Sequence, residues 1–150
     1  MRAVIQRVSN ASVSIKNKII ARINTGFLIL LGIEVEDTNE DSLWLAHKIS
    51  QLRIFSDSDG RMNHSILDVG ADVIVVSQFT LHARTKKGNR PSYINAAKAE
   101  QAIPLYEKFK KDLSKLISKE VFSGEFGADM KVSLTNDGPV TLIIDTKNKQ

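Results

Sequence analysis

The residues with the most chemical promise lie in one run, Ser77-Gln78-Phe79-Thr80-Leu81-His82. Two hydroxyls, an amide and an imidazole fall within six positions. In an extended chain Gln78, Thr80 and His82 share one face, with Phe79 and Leu81 on the other. Thr80 and His82 stand two apart, a spacing at which an imidazole can lie beside a hydroxyl as general base. No carboxylate follows nearby to orient the histidine, and ordinary surface residues at a strand end explain the pair equally well.

Val73-Ile74-Val75-Val76 precedes this run, four β-branched aliphatics in a row, and predicts a strand buried on both faces. A core strand that turns polar at its C-terminal end is a common place for an α/β protein to keep its chemistry. The charge pattern nearby is one-sided. No acidic residue occurs between Asp72 and Glu100, whereas Arg84, Lys86, Lys87, Arg90 and Lys98 all do. A phosphate-bearing ligand and a solvated loop both suit that segment.

Gly138-Pro139 is the second unusual element. A turn between two strands is its ordinary role. A cis bond there would aim the two carbonyls where a trans bond cannot, and cis costs only about 0.5–1 kcal/mol before proline.

Metal and cofactor chemistry find little support. The 3 histidines are scattered, cysteine is absent, and no glycine pattern matches a dinucleotide or Walker phosphate loop. Ser56-Asp57-Ser58-Asp59-Gly60 superficially resembles a calcium loop but lacks the alternating ligands and the closing glutamate, and reads as a turn. No cofactor and no metal are expected.

The surrounding elements follow from periodicity. Residues 2–15 alternate as a first strand, not a signal peptide, and Lys16-Asn17-Lys18 is a turn. Strands are expected over 19–23 and 27–33. A helix capped by Thr38 or Asn39 runs to about Gln51, burying Leu43, Ala46 and Ile49 with Trp44 and Leu45 beside them. Residues 52–55 read as a short strand and 63–69 as irregular or a short strand. Ser92 caps a helix from about Tyr93 to Ser118, kinked or divided at Pro104, with Leu105, Phe109, Leu113, Leu116 and Ile117 inward. Strands at 131–135 and 140–145 flank a turn at Asn136-Asp137-Gly138-Pro139. The order suggests a mixed α/β layered domain. With 150 residues, one domain is the simplest reading. Hydrophobic content of 42% and charged content of 25% are those of an ordinary soluble protein, the net charge of +4 is compatible with an anionic partner, and no apolar run approaches the roughly 20 residues of a bilayer span. A cytoplasmic location without membrane association is expected.

Five segments in order, Met1–Val8, Ser77–Leu81, Lys87–Ser92, Phe126-Gly127-Ala128 with Met130, and Asn136–Thr141, give the chain a resemblance to the D-aminoacyl-tRNA deacylases along essentially its whole length. The SQFTL and GPVT segments at this spacing are the specific part. Arg84 departs from the family, which commonly has an acidic residue there, and His82 is not a family fixture.

The resemblance implies a homodimeric hydrolase of three-layer β/β/α fold. Its substrate would be the ester between a D-amino acid, or mischarged glycine, and the 3′-terminal adenosine of tRNA. Ser77, Gln78, Phe79 and Thr80 would form the pocket floor, with the N–H groups of Phe79 and Thr80 as an oxyanion hole. Gly138 and Pro139, joined by a cis bond, would reach into the partner's site to test chirality. The RNA 2′-hydroxyl, not a protein nucleophile, would assist cleavage. Phe126 and Met130 are candidates for adenosine contact, and Lys86, Lys87 and Arg90 for acceptor-stem phosphates. A non-catalytic tRNA-binding protein of the same fold, and a conventional esterase using Thr80, are the alternatives.

Overall fold

The computed structural model describes residues 1–149 and has a mixed α/β fold. Three strands open the chain: β1 (Arg2–Ile15), β2 (Lys18–Ile23) and β3 (Gly26–Gly32). Lys16 and Asn17 both take positive φ, the turn that matches the twist of a two-residue hairpin. Helix α1 (Asn39–Ser50) follows a capping box in which Thr38 and Asp41 satisfy each other's backbone N–H groups. A small hairpin of β4 (Phe55–Ser56) and β5 (Met62–His64) and the single-turn α2 (Ile66–Val69) lead to β6 (Asp72–Ser77). The chain ends with α3 (Ala99–Ile117), β7 (Val121–Ser123) and β8 (Lys131–Asp145).

One six-stranded sheet has the order β2-β1-β3-β6-β7, with β8 also on β1. β6 is parallel to both β3 and β7, and the other pairings in this sheet are antiparallel. β1 is long enough to serve three partners. Its first half lies between β3 and β8, and its second half between β2 and β8.

Two cores result. Ala3, Ile5, Phe27, Ile29, Val73 and Val75 face α1 and α3, which pack on each other. Val8, Val13, Ile23, Leu28, Ile74 and Val76 form the second core, because the far half of β1 curls with β2 until β2 lies against β6 and β7. Val73 to Val76 are therefore buried on both sides, as four adjacent β-branched residues predict.

Several expectations are corrected. α3 starts at Ala99, not Tyr93, because backbone bonds divert residues 92–97: Ala97 N–H donates to Ile33 C=O at 2.9 Å and Val35 N–H to Asn95 C=O at 3.1 Å. Ser92 pairs with Arg84 instead of capping a helix. Pro104 does not divide α3. It sits in the second turn, where its missing N–H leaves only one carbonyl, that of Glu100, without its helical donor. In α1, Leu45, Ala46 and Ile49 are buried as expected, whereas Leu43 is exposed. The short strand expected at 52–55 reduces to Phe55–Ser56, and residues 66–69 are helical. The final two strands are one, discussed below.

The chain ends meet. The Met1 amine is buried in an ion pair with Asp37 and donates to Thr146 Oγ1 at 2.6 Å. Asp41 accepts from Lys147 Nζ and from Thr38 N–H, both at 2.9 Å. Burial alone would raise the Asp41 carboxyl, but these hydrogen bonds hold it well below the usual carboxylate range. A depressed folded-state pKa stabilises the fold above the unfolded value of 3.8 and is lost as pH falls below it. Wild-type melting temperature is therefore expected to drop through that acid window. Asp41→Asn should melt lower at neutral pH but show a shallower acid loss, measured by thermal denaturation from about pH 7 to about pH 2.5.

Candidate active site

β6 carries its aliphatic run through the core and releases the chain at Ser77. Gln78 N–H still donates to Leu31 C=O of β3 at 2.8 Å. The extended alternation then stops. Phe79–His82 closes into a 3₁₀ turn, with Leu81 N–H donating to Gln78 C=O at 3.2 Å and Ala83 N–H to Thr80 C=O at 3.0 Å. The turn's first internal bond begins at Leu81, so it leaves the N–H groups of Phe79 and Thr80 unused.

This turn separates the residues that an extended chain would align. Thr80 Oγ1 accepts from Gln78 Nε2 at 2.5 Å. His82 is instead buried against Gly32 of β3. A Cβ on Gly32 would lie 2.9 Å from His82 Cδ2 and 3.0 Å from Gln78 C=O, so glycine makes room for both. His82 Nε2 has no hydrogen-bond partner among the described residues. The Thr80–His82 dyad is not formed.

A cavity of about 300 Å³ opens beside the turn. Ser77, Gln78 and Phe79 line one side, and Phe126 to Met130 line another, with Leu31, Ile33 and Val132 beneath. Two segments about fifty residues apart in sequence thus share one pocket. Phe126 packs edge-on against Tyr106 of α3, centroids 5.7 Å apart. Tyr106 in turn donates its hydroxyl to Val75 C=O at 2.9 Å, and burial pushes that phenol well above its usual range. Met130 closes over Gly124, where a Cβ would meet its sulfur at 2.3 Å. Both residues therefore pack and line at once. The only ionisable side chain among the cavity's lining residues is Asp129, exposed and paired with Lys131 at 3.2 Å.

Lys86, Lys87 and Arg90 do not line the cavity. They are exposed on the loop closed by Arg84 and Ser92, whose backbones exchange bonds of 2.8 and 3.0 Å. Arg2 ties the 3₁₀ turn to the end of β8. It donates through Nε and Nη2 to Asp145 at 2.9 and 2.7 Å and through Nη1 to Leu81 C=O at 2.6 Å.

Gly138 and Pro139 also lie away from their own chain's cavity. The expected hairpin turn does not exist. β8 runs unbroken from Lys131 to Asp145 along β1, and residues 137–140 form a bulge opposite the single residue Arg7. The physical reason is Arg7. Its buried guanidinium donates from Nε to Asp137 C=O at 3.0 Å and from Nη1 to Ile54 C=O at 2.5 Å, while Asn136 Oδ1 accepts from Val140 N–H at 2.8 Å. The bulge is thereby held from inside, so the chain need not reverse. The Gly138–Pro139 bond is cis, and Gly138 has φ of +134°.

A Cβ at Gly138 would lie 2.8 Å from Val140 Cγ2 and 3.0 Å from Arg7 Nη2, at a φ open in practice only to glycine. Gly138→Ala is therefore expected to cost about 1–3 kcal/mol. At roughly 2–4 °C per kcal/mol, calorimetry should show a clear fall in melting temperature. An unchanged value would mean that the bulge is not held as described.

Comparison with known proteins agrees with this arrangement. Residues 4–145 match the family model described as D-Tyr-tRNA(Tyr) deacylase. The chain is 61% identical to a D-aminoacyl-tRNA deacylase of Bacteroides thetaiotaomicron and 63% identical to one of Bacteroides fragilis, each over the full length of both chains. Among solved structures, one titled c-Myc DNA Unwinding Element Binding Protein is 39% identical, with a TM-score of 0.90, covering 97% of this chain and 98% of its own. A probable eukaryotic D-amino acid tRNA deacylase shares the fold at a TM-score of 0.81 and 16% identity, covering 95% of this chain and 97% of its own. With the match spanning both the 3₁₀ turn beside the cavity and the bulge of β8, the chain belongs to the D-Tyr-tRNA(Tyr) deacylase family.

Proposed function

We propose that this protein hydrolyses the ester of D-aminoacyl-tRNA, and of glycine mischarged on tRNA, to free amino acid and tRNA. The observation that carries the reading is the cavity shared by the Ser77–Phe79 segment and the Phe126–Met130 segment, with two uncommitted N–H groups beside it. A terminal adenosine would sit against Phe126 and Met130. The ester carbonyl would face the N–H groups of Phe79 and Thr80, which are placed to hold charge on its oxygen as water adds. Collapse then breaks the bond to the ribose 3′ oxygen, which leaves with a proton.

The proton-handling group would come from the RNA. The lining offers no histidine, and its one carboxylate is exposed and already paired. The ribose 2′-hydroxyl lies next to the ester and is already positioned by it. Thr80 is a hydrogen-bond acceptor for Gln78 in this scheme, a positioning residue and not a nucleophile.

Chirality would be read by a second copy. In a homodimer, the backbone carbonyls of Gly138 and Pro139 from one protomer would stand against the α-carbon of the substrate in the other. Main-chain atoms placed there admit hydrogen and exclude a side chain. An L residue clashes, a D residue points its side chain elsewhere, and glycine passes because it has none. Selectivity of this kind works by rejection. Lys86, Lys87 and Arg90 would meet acceptor-stem phosphates.

The test is release of tyrosine from matched D- and L-tyrosyl-tRNA. D ester should be cleaved at least about 100-fold faster, since each tenfold needs only about 1.36 kcal/mol of steric rejection. Binding without turnover would instead support a non-catalytic tRNA-binding protein. D-tyrosyl-tRNA ending in 2′-deoxyadenosine should react about 10²–10⁴-fold more slowly, the usual contribution of a general acid–base group. Unimpaired turnover would eliminate RNA assistance.

Thr80→Ala should keep single-turnover rates within about tenfold of wild type, because only a positioning bond is lost. A loss of several orders of magnitude in a folded, tRNA-binding variant would make Thr80 the nucleophile. Hydrolysis of small activated esters without RNA would point the same way.

A further inference from the structure

An apolar surface beside the cavity mouth extends beyond it. Phe79 is 54% exposed and meets Tyr93 edge-on, with ring centroids 4.9 Å apart and planes at 75°. Tyr93 is 38% exposed and Ile94 is 73% exposed, and neither lines the cavity. Such side chains usually find cover when a chain has no use for them outside.

The backbone under this surface is held firmly. Tyr93 C=O accepts from Ala96 N–H at 2.9 Å, and residues 95 and 97 are bonded to residues 35 and 33. A surface organised before binding loses little entropy when a ligand arrives. The basic loop returns at Ser92, directly before Tyr93. Lys86, Lys87 and Arg90 are exposed on that loop, which carries no acidic residue. Cations to track a phosphate backbone and aromatic faces to take bases are the two parts of a single-strand nucleic-acid site. That charge favours a polynucleotide over a protein partner.

We propose that Tyr93 and Ile94, with the outer edge of Phe79, form a stacking platform for the unpaired nucleotides that precede the terminal adenosine of the substrate. This rests on the reading that the cavity takes the aminoacyl-adenosine. The strand leaving the cavity passes Phe79, lays its next base on Tyr93 and Ile94, and turns its phosphates toward Lys86, Lys87 and Arg90. The platform is indifferent to base identity, since every base offers a flat face.

The test compares D-tyrosyl esters of adenosine and of the trinucleotide CCA. Stacking one added base is worth about 5- to 150-fold. Wild-type kcat/KM should therefore favour the trinucleotide by about tenfold or more, chiefly through KM. Tyr93→Ala and Ile94→Ser should each shrink that ratio, and Tyr93→Phe should preserve it. Using the ratio cancels any general damage to the pocket, and exposed Ile94 gives a variant whose folding is not in question. A wild-type ratio near one, or a ratio unmoved by both variants, overturns the platform alone. Dissociation of an oligomer by Ile94→Ser, seen in sedimentation with the ratio intact, reassigns the surface to a second copy. Failure of the folded wild type to cleave either ester or D-tyrosyl-tRNA overturns the deacylase reading and the platform with it.

Discussion

A buried guanidinium holds this structure together at the point where regularity fails. Arg7 sits on the face of β1 that carries Ala3 and Ile5 into the helix-side core, yet it is charged. Its position is tolerable because carbonyls from two distant segments, Asp137 and Ile54, accept its protons. Val8, on the opposite face, enters the other core, and past an irregularity between Val8 and Asn10 the odd positions Ala11 and Val13 join it there. Arg7 thus supports the bulge of β8 and anchors the loop before β4. Removing it would leave carbonyls without donors and a void where β8 departs from its ladder.

In the proposed reaction the cavity and the bulge would both act through main-chain atoms. Beside the cavity stands the 3₁₀ turn, and Gly32 lets that turn approach β3 closely enough to bury His82. Nearly all the lining is apolar or amide. A pocket so poor in titratable groups suits a reaction in which geometry and solvent exclusion matter more than proton donors of the protein. Arg2 couples this turn to the end of β8 through Leu81 and Asp145.

Much of the scaffold was legible because local and global preferences agree. The run Val73–Val76, the Lys16-Asn17 turn and the capping residues of α1 each declare themselves within a few positions. Misreadings arose where distant partners overrule local signals. Ser92 looks like a helix cap, but Arg84 claims its backbone. Asn136–Pro139 looks like a hairpin turn, but Arg7, some 130 residues away, makes it a bulge in one strand. Ser77, Gln78, Phe79, Phe126 and Met130 line one cavity, whereas Thr80, expected beside them in its floor, is not among the lining residues. Tyr93 and Ile94 carried no motif, and only their unburied surface beside Phe79 draws them in.

The pairing of β1 with β8 joins residues as far apart as Arg2 and Asp145, which lie 143 positions from each other. Contacts of such separation raise contact order and slow the search for the native topology. A nascent chain can assemble β1, β2 and β3 early, but the first strand keeps one side unpaired until nearly all the rest has been made. The bulge matures in that same final closure, because its supporting arginine and its own residues belong to opposite ends of the ladder. A partly synthesised chain thus lacks both the β1–β8 ladder and the bulge within it, and it acquires the two in one step.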